Sequence, residues 1–336
     1  MQQADTTQSP PTIADAELRR APAREALAVV CAAVLPGGSV GAVRRLRGGI
    51  ASGMHAVDLV GTGGERRRVV VRRFGRWRVE HDPRVGEREW AALTALERVG
   101  APTPRPRWLD AGGTVFGCPA IVTSQVPGRG MLAPRDLQGW VRQLAEALAR
   151  IHAAPLADED RAILLDQRQE VDRLLASEEP PSALLGKPLG SEVWATMRGY
   201  WPQLVSARRG LVHGDFWPGN TLWLRGRLSG VVDWEQVRCG DPSQDVACCR
   251  LDLTLLFGPE TADQFLLAYL AASEEPVRQL FFWELSIAAS ALEDVEHWVD
   301  GYHDLGRTDV TPEIARDRLE RFAETALRIG AGVLGG

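Results

Sequence analysis

The chain has 336 residues, 45% hydrophobic and 25% charged, the balance of a globular protein long enough to bury a sizeable core. Lys and Arg number 39 against 44 Asp and Glu, and the net charge of -5 argues against nucleic acid as the main partner. No apolar run approaches the roughly 20 residues of a membrane span, the first residues lack the basic and apolar regions of a signal peptide, and five cysteines without a C-x-x-C pair fit reduced thiols. The expectation is a cytoplasmic protein with neither a membrane nor a nucleic-acid partner.

Residues 1–13 read as a polar tail. A helix is predicted from Asp15 to Leu35, stopped by Pro36-Gly37-Gly38. Glycine-broken β-type runs follow at Val40–Leu46, Met54–Val60 and Arg68–Phe74. A helix over Gly86–Val99 closes at Gly100, and strands are expected at Arg107–Asp110 and Ala120–Ser124. Beyond Pro127-Gly128 the pattern turns helical: Leu137, Val141, Leu144, Leu148 and Ile151 recur at steps of four and three. Helices are predicted near 166–176, 191–206, 242–256, 261–272, 276–300 and 312–329, interrupted by a β-rich island from Leu211 to Val232. The chain therefore reads as a β-rich first third and a helical remainder.

Chemistry concentrates in that island. Leu211-Val212-His213-Gly214-Asp215 delivers a carboxylate, Asn220 follows five residues later, and Val231-Val232-Asp233-Trp234-Glu235 supplies more carboxylates. An Asp able to accept a hydroxyl proton, beside an Asn and an Asp as hard oxygen ligands, is what kinase-type phosphoryl transfer needs. Upstream, Arg47-Gly48-Gly49-Ile50-Ala51-Ser52-Gly53 is a glycine loop between strands, whose backbone can approach phosphate closely. It is not a Walker A loop, because no Gly-Lys-Ser/Thr follows. The next strand, Val69-Val70-Val71-Arg72-Arg73, should present a cation to the nucleotide. The only lysine of the chain is Lys187, so that cation is an arginine. Arg72 and Arg73 face opposite sides of the strand, and Glu89 or Glu87 is the partner on the following helix.

These motifs together resemble the aminoglycoside phosphotransferase family, which includes choline-kinase-like small-molecule kinases. The resemblance runs over about 40–300 and is strongest over 211–247. It implies an α+β, bilobal protein-kinase-like fold, with a small β-rich nucleotide lobe over 1–125 and a large helical lobe over 126–336. It implies Asp215 as catalytic base and Asn220 and Asp233 as Mg²⁺ ligands. Gly48, Gly49, Ser52, Gly53, Arg72 and Glu89 then serve the phosphates of ATP or GTP, with the Ser124 carbonyl and Val126 N–H at the purine base. Gly240-Asp241-Pro242-Ser243-Gln244-Asp245 resembles a further family segment. There Asp241 is a natural N-cap, Pro242 suits the first helical position, Gln244 completes a capping box, and Asp245 is placed to brace the catalytic loop. His152 reads as structural.

Candidates for the acceptor are Trp217, Phe216 and Glu235 beside the base and metal loops, and Glu293, Glu296 and Asp300 on one flank of the helix striped by Leu285, Ala288, Leu292, Val295 and Val299. An acidic wall there suits a polycationic amino sugar, although a solvated helix face accounts for the same residues. Trp283, Trp298 and Tyr302 are further candidates. The expected reaction is γ-phosphoryl transfer from a Mg-nucleotide to a hydroxyl of an aminoglycoside-like antibiotic. The alternatives are a macrolide-like antibiotic, a metabolite alcohol or sugar, or a nucleotide-binding module without catalysis. D-W-E in place of D-F-G, with no A-P-E-like segment after it, points away from a protein kinase.

Overall fold

A computed structural model describes residues 10–46, 52–204, 209–274 and 276–334. Two compact units emerge, Met1–Arg98 with Pro104–Val126, and Val99–Thr103 with Pro127–Gly336.

In the first unit, α1 (Asp15–Leu18) and α2 (Arg24–Val34) precede β1 (Ser39–Arg45), β2 (Ser52–Val60) and β3 (Arg66–Phe74). Then come α3 (Arg76–His81), α4 (Val85–Arg98), β4 (Pro106–Asp110) and β5 (Ala120–Ser124). The strands form one antiparallel sheet in the order β1-β2-β3-β5-β4. The long helix expected from Asp15 to Leu35 is broken, because Pro22 has no N–H to donate and disfavours helical backbone at Ala21. β3 is buried on both faces from Val69 to Phe74. On one face Val69 and Val71 join Leu18, Leu27, Val30, Cys118 and Val122 in the core; on the other, Arg72 reaches Glu89 of α4. A strand covered on both sides carries a continuous apolar run rather than an alternating one.

The second unit is mostly helical: α5 (Leu137–His152), α6 (Asp158–Ile163), β6 (Leu165–Asp166), α7 (Gln167–Leu175) and α8 (Gly190–Tyr200) come first. β7 (Gly210–Val212), β8 (Thr221–Leu224), β9 (Arg227–Val231) and β10 (Arg238–Gly240) follow, then α9 (Ser243–Phe257), α10 (Pro259–Ala272), α11 (Leu280–Asp304) and α12 (Pro312–Leu334). α5 starts where the Asp136 carboxylate accepts the N–H of Gly139, and its predicted stripe is buried from Val141 to Ile151. α9 is the central helix, buried on nearly every side, with α10, α11 and α12 packed around it. β7 pairs antiparallel with β10, and β8 with β9 in a hairpin. This arrangement sets the stretch after β7, the start of β8 and the end of β9 side by side. Among the described residues no helix is long and apolar enough to cross a membrane, and all five cysteines are free and buried.

Candidate active site

β7 is wholly buried and ends at Val212; His213 is still fully buried, and the chain leaves the core at Gly214 and Asp215. The carboxylate of Asp245, in the first turn of α9, accepts the N–H of His213 at 2.7 Å and that of Gly214 at 2.9 Å. Gly214 has φ +84°, and a Cβ there would collide with the carbonyl of Gln236, so only glycine fits this turn. His213 Nε2 donates to the carbonyl of Val232 at 3.0 Å, tying the loop to the strand that leads to Asp233. Asp245 is in turn gripped by His152 Nε2 at 3.1 Å, while His152 Nδ1 meets the Tyr269 hydroxyl at 2.7 Å. Burial works to raise the Asp245 carboxyl, but the His152 hydrogen bond and the two histidines beside it outweigh burial and hold it below the ordinary carboxylate range. The brace assigned to Asp245 and the structural role of His152 thus have a geometric basis.

Asp215 follows, half-buried. Asn220 Nδ2 donates to Asp215 Oδ2 at 3.0 Å and to its carbonyl at 2.9 Å. The Asn220 backbone is fixed from both sides: its N–H donates to Trp217 and its carbonyl accepts from Val232. Burial raises the Asp215 carboxyl above its usual range, and the charges of Asp233 and Asp245 push the same way, against His213 and the Asn220 hydrogen bond. Asp233, just past β9, has φ +69°, a left-handed conformation that Asp adopts more readily than most residues. Spending the Asn220 amide N–H on Asp215 presents its Oδ1 as a fixed acceptor. That oxygen and the Asp233 carboxylate are the donors Mg²⁺ accepts alongside phosphate oxygens and water. Among the described residues no cluster of three or more His, Cys, Asp or Glu forms an all-protein cage. Two hard oxygen ligands fit an ion that arrives with a nucleotide.

In the first unit, Arg72 on β3 meets Glu89 of α4, Nη1 to Oε2 at 3.2 Å, and its Nε donates to Ser52 Oγ at 3.2 Å. All three side chains are buried. Arg73 points to the other face, where its Nη2 donates to the carbonyls of Leu18 at 3.0 Å and Arg20 at 2.5 Å. Glu87 pairs instead with Arg84 at the surface. Gly48 and Gly49 lie outside the described residues. Gly53 backs onto the carbonyl of Leu18, leaving no room for a Cβ. Ser124 ends β5 with its N–H donated to the Arg105 carbonyl, and among the described residues the Val126 N–H donates to no other backbone group.

The acceptor candidates separate. Trp217 stays beside Asp215, half-buried, its ring tilted against Tyr302 at 6.0 Å between centroids. Glu235 is half-buried after the fully buried Trp234. Phe216 and Trp283 are core residues, fully buried, so neither presents a face to a ligand. Glu293, Glu296 and Asp300 are all exposed. α11 is kinked at Asp294 (φ −155°, ψ 27°), so the acidic flank is not one continuous helix face. Glu296 pairs with Arg316 of α12, and the Glu293 carbonyl accepts from Lys187 Nζ at 2.9 Å. Neither carboxylate pairs with the Asp215 loop. The capping box also gives way: Asp241 Oδ1 accepts the Ser243 N–H, but Gln244 Oε1 is taken by the amide of the buried Gln167. Sequence reasoning gave no part to Asp252, a buried carboxyl bonded to Tyr302. Its signal was a lone acid in an apolar helix, seven residues after Asp245.

Viomycin phosphotransferase of Streptomyces vinaceus is 31% identical over 189 residues, 52% of this chain and 64% of that protein. Homoserine kinase of Polaromonas naphthalenivorans (strain CJ2) is 29% identical over 191 residues, 51% of this chain and 56% of that one. The chain thus spans less than two thirds of the length of these curated relatives. In structure it resembles choline kinase LicA from Streptococcus pneumoniae, with a TM-score of 0.53 and 19% identity over 86% of this chain and 94% of that one. The α+β architecture, a small antiparallel sheet followed by a large helical unit, is therefore the protein-kinase-like one. With the model of the phosphotransferase enzyme family matching residues 49–281, the chain belongs to that family.

Proposed function

We propose that the protein is a small-molecule kinase that moves the γ-phosphoryl group of a Mg-nucleotide, ATP or GTP, to a hydroxyl of an amine-bearing acceptor of the antibiotic kind. The observation that carries this is the locked pair of Asp215 and Asn220, set among Asp233, Asp245 and His213. Asp215 orients the acceptor hydroxyl and takes up its proton as the oxygen attacks phosphorus. A carboxyl raised by burial and neighbouring charge is a better proton acceptor than an ordinary one. Asn220 and Asp233 would hold Mg²⁺, which when bound neutralises charge on the phosphate oxygens. In the first unit Arg72, aimed by Glu89 and Ser52, would bind phosphate oxygens, with Gly48, Gly49 and Gly53 bringing backbone N–H groups to them. Ser124 and Val126 would offer backbone groups to the purine.

Trp217 and Glu235 are the acceptor contacts this reading favours, an indole two residues past the base and a half-buried carboxylate two residues past Asp233, both suited to an ammonium group. Glu293, Glu296 and Asp300, exposed on α11, would act at most as an acidic field. The similarity to viomycin phosphotransferase supports the antibiotic reading. The similarity to homoserine kinase supports a second one, a metabolite amino alcohol. Transfer of labelled γ-phosphate from Mg-ATP or Mg-GTP to viomycin, hygromycin B, a macrolide, homoserine and choline separates them. Transfer to none of these by folded protein would refute the kinase reading.

A further inference from the structure

Two turns of α9 separate Asp245 from Asp252, so both carboxyls and Cys248 between them share one helix face. All three are buried, and Asp215 acts electrostatically on both Cys248 and Asp252. That face lies under the base. Asp245 takes the N–H groups of His213 and Gly214, immediately before Asp215. Asp252 instead accepts the hydroxyl of Tyr302 at 2.7 Å. Tyr302 is only 1% exposed, and its ring leans on Trp217 at 55° between planes. The N–H of Trp217 donates to the Asp215 carbonyl at 3.0 Å, and the indole lies over Gly219.

A carboxyl in the middle of an apolar helix is costly to bury, and a Leu–Phe pair would fill similar volume without that cost. What the polar pair adds is direction: the phenol is held at one point, and its ring can take only one stance against the indole. We infer that Asp252 is a positioning residue for the acceptor, acting through Tyr302 to fix the indole of Trp217 beside Asp215. α9 then braces the loop on both sides of the base, through Asp245 before it and Asp252 after it. Tyr302 and Asp252 touch no ligand themselves. This rests on the kinase reading, with Trp217 as a wall of the acceptor site.

The test uses the full chain with Mg-nucleotide and the best acceptor of the panel above. Tyr302→Phe keeps the ring and removes the hydroxyl; Asp252→Leu removes its partner. Each should raise the acceptor KM about tenfold while the nucleotide KM stays within about twofold. The double variant should be no worse than either single one, since both break the same link. Asp252→Asn keeps an oxygen for the phenol and should restore an acceptor KM near wild type. An acceptor KM unchanged in Tyr302→Phe, or nucleotide and acceptor KM rising together, would overturn the positioning role while leaving the kinase reading intact. A wild type that phosphorylates no acceptor overturns both.

Discussion

Asn220 Nδ2 reaches back five residues to hold Asp215 by its carbonyl and by Oδ2 at 3.0 Å, so the proposed base and the proposed metal ligand form one rigid unit. The same amide cannot be removed without freeing the carboxylate. The two residues are therefore coupled, whatever the acceptor.

Replacement of Asp215 isolates the proton-transfer step. Asp215→Ala should lower kcat by at least ~10²-fold, with nucleotide affinity nearly unchanged, because no phosphate contact is assigned to it. Near-wild-type kcat in folded Asp215→Ala, by steady-state kinetics beside calorimetric nucleotide binding, would remove Asp215 from the mechanism.

For the metal, Asp233→Asn takes away an anionic ligand and Asn220→Ala a neutral one. Both should shift the Mg²⁺ dependence of activity to higher concentration, the charged loss more than the neutral one. Asn220→Ala should also lower kcat at saturating Mg²⁺, since it unlocks Asp215. Two Mg²⁺ titrations superimposable on the wild type would place the ion elsewhere.

The two adjacent arginines should behave differently. Arg72→Ala should reduce kcat/KM for the nucleotide by one to two orders of magnitude, from the loss of charge-assisted hydrogen bonds of roughly 1.5–3 kcal/mol each. Arg72→Lys should recover part of it, restoring charge without the planar fork. Arg73→Ala strands the carbonyls of Leu18 and Arg20, so it should lower the melting temperature while leaving nucleotide KM alone. Kinetics sensitive to Arg73 and silent at Arg72 would reverse the assignment.

Burial sets a pH dependence of stability. Desolvation pushes the Asp252 carboxyl up to about 7, with Asp215 adding to the rise and the Tyr302 hydrogen bond opposing it. A carboxyl that holds its proton more tightly when folded stabilises the fold at low pH, and the contribution is lost as pH rises through the folded value. Thermal melts should therefore show Asp252→Asn gaining on the wild type between about pH 4 and about pH 7. The raised Asp215 carboxyl acts likewise on catalysis: the acid limb of kcat/KM should fall above the ordinary Asp range. A difference between Asp252→Asn and wild type that is flat with pH would mean that the Asp252 carboxyl titrates alike folded and unfolded.

The residue types at Asp215, Asn220 and Asp233, their spacing, and the strand alternation that separates Arg72 from Arg73 were legible in the sequence, because strand periodicity and loop spacing are local. So were most helices and strands, whose apolar patterns are also local. Pro22 divided a helix that apolar composition alone ran together, since a missing N–H outweighs side-chain pattern. The family resemblance put Glu89 ahead of Glu87 as the partner of Arg72, while the strand and helix alone left both open; packing leaves Glu89 buried against Arg72 and Glu87 at the surface with Arg84. Gln244 was a capping residue by sequence until Gln167, 77 positions earlier, claimed its side chain. Glu293 and Glu296 shared a flank on paper, but the Asp294 kink and the approach of Arg316 gave them other neighbours. Asp252 and Tyr302, 50 residues apart, acquire a role only where α9 and α11 pack. Local chemistry follows from local sequence, whereas partners distant in the chain are chosen by burial, which belongs to the folded whole.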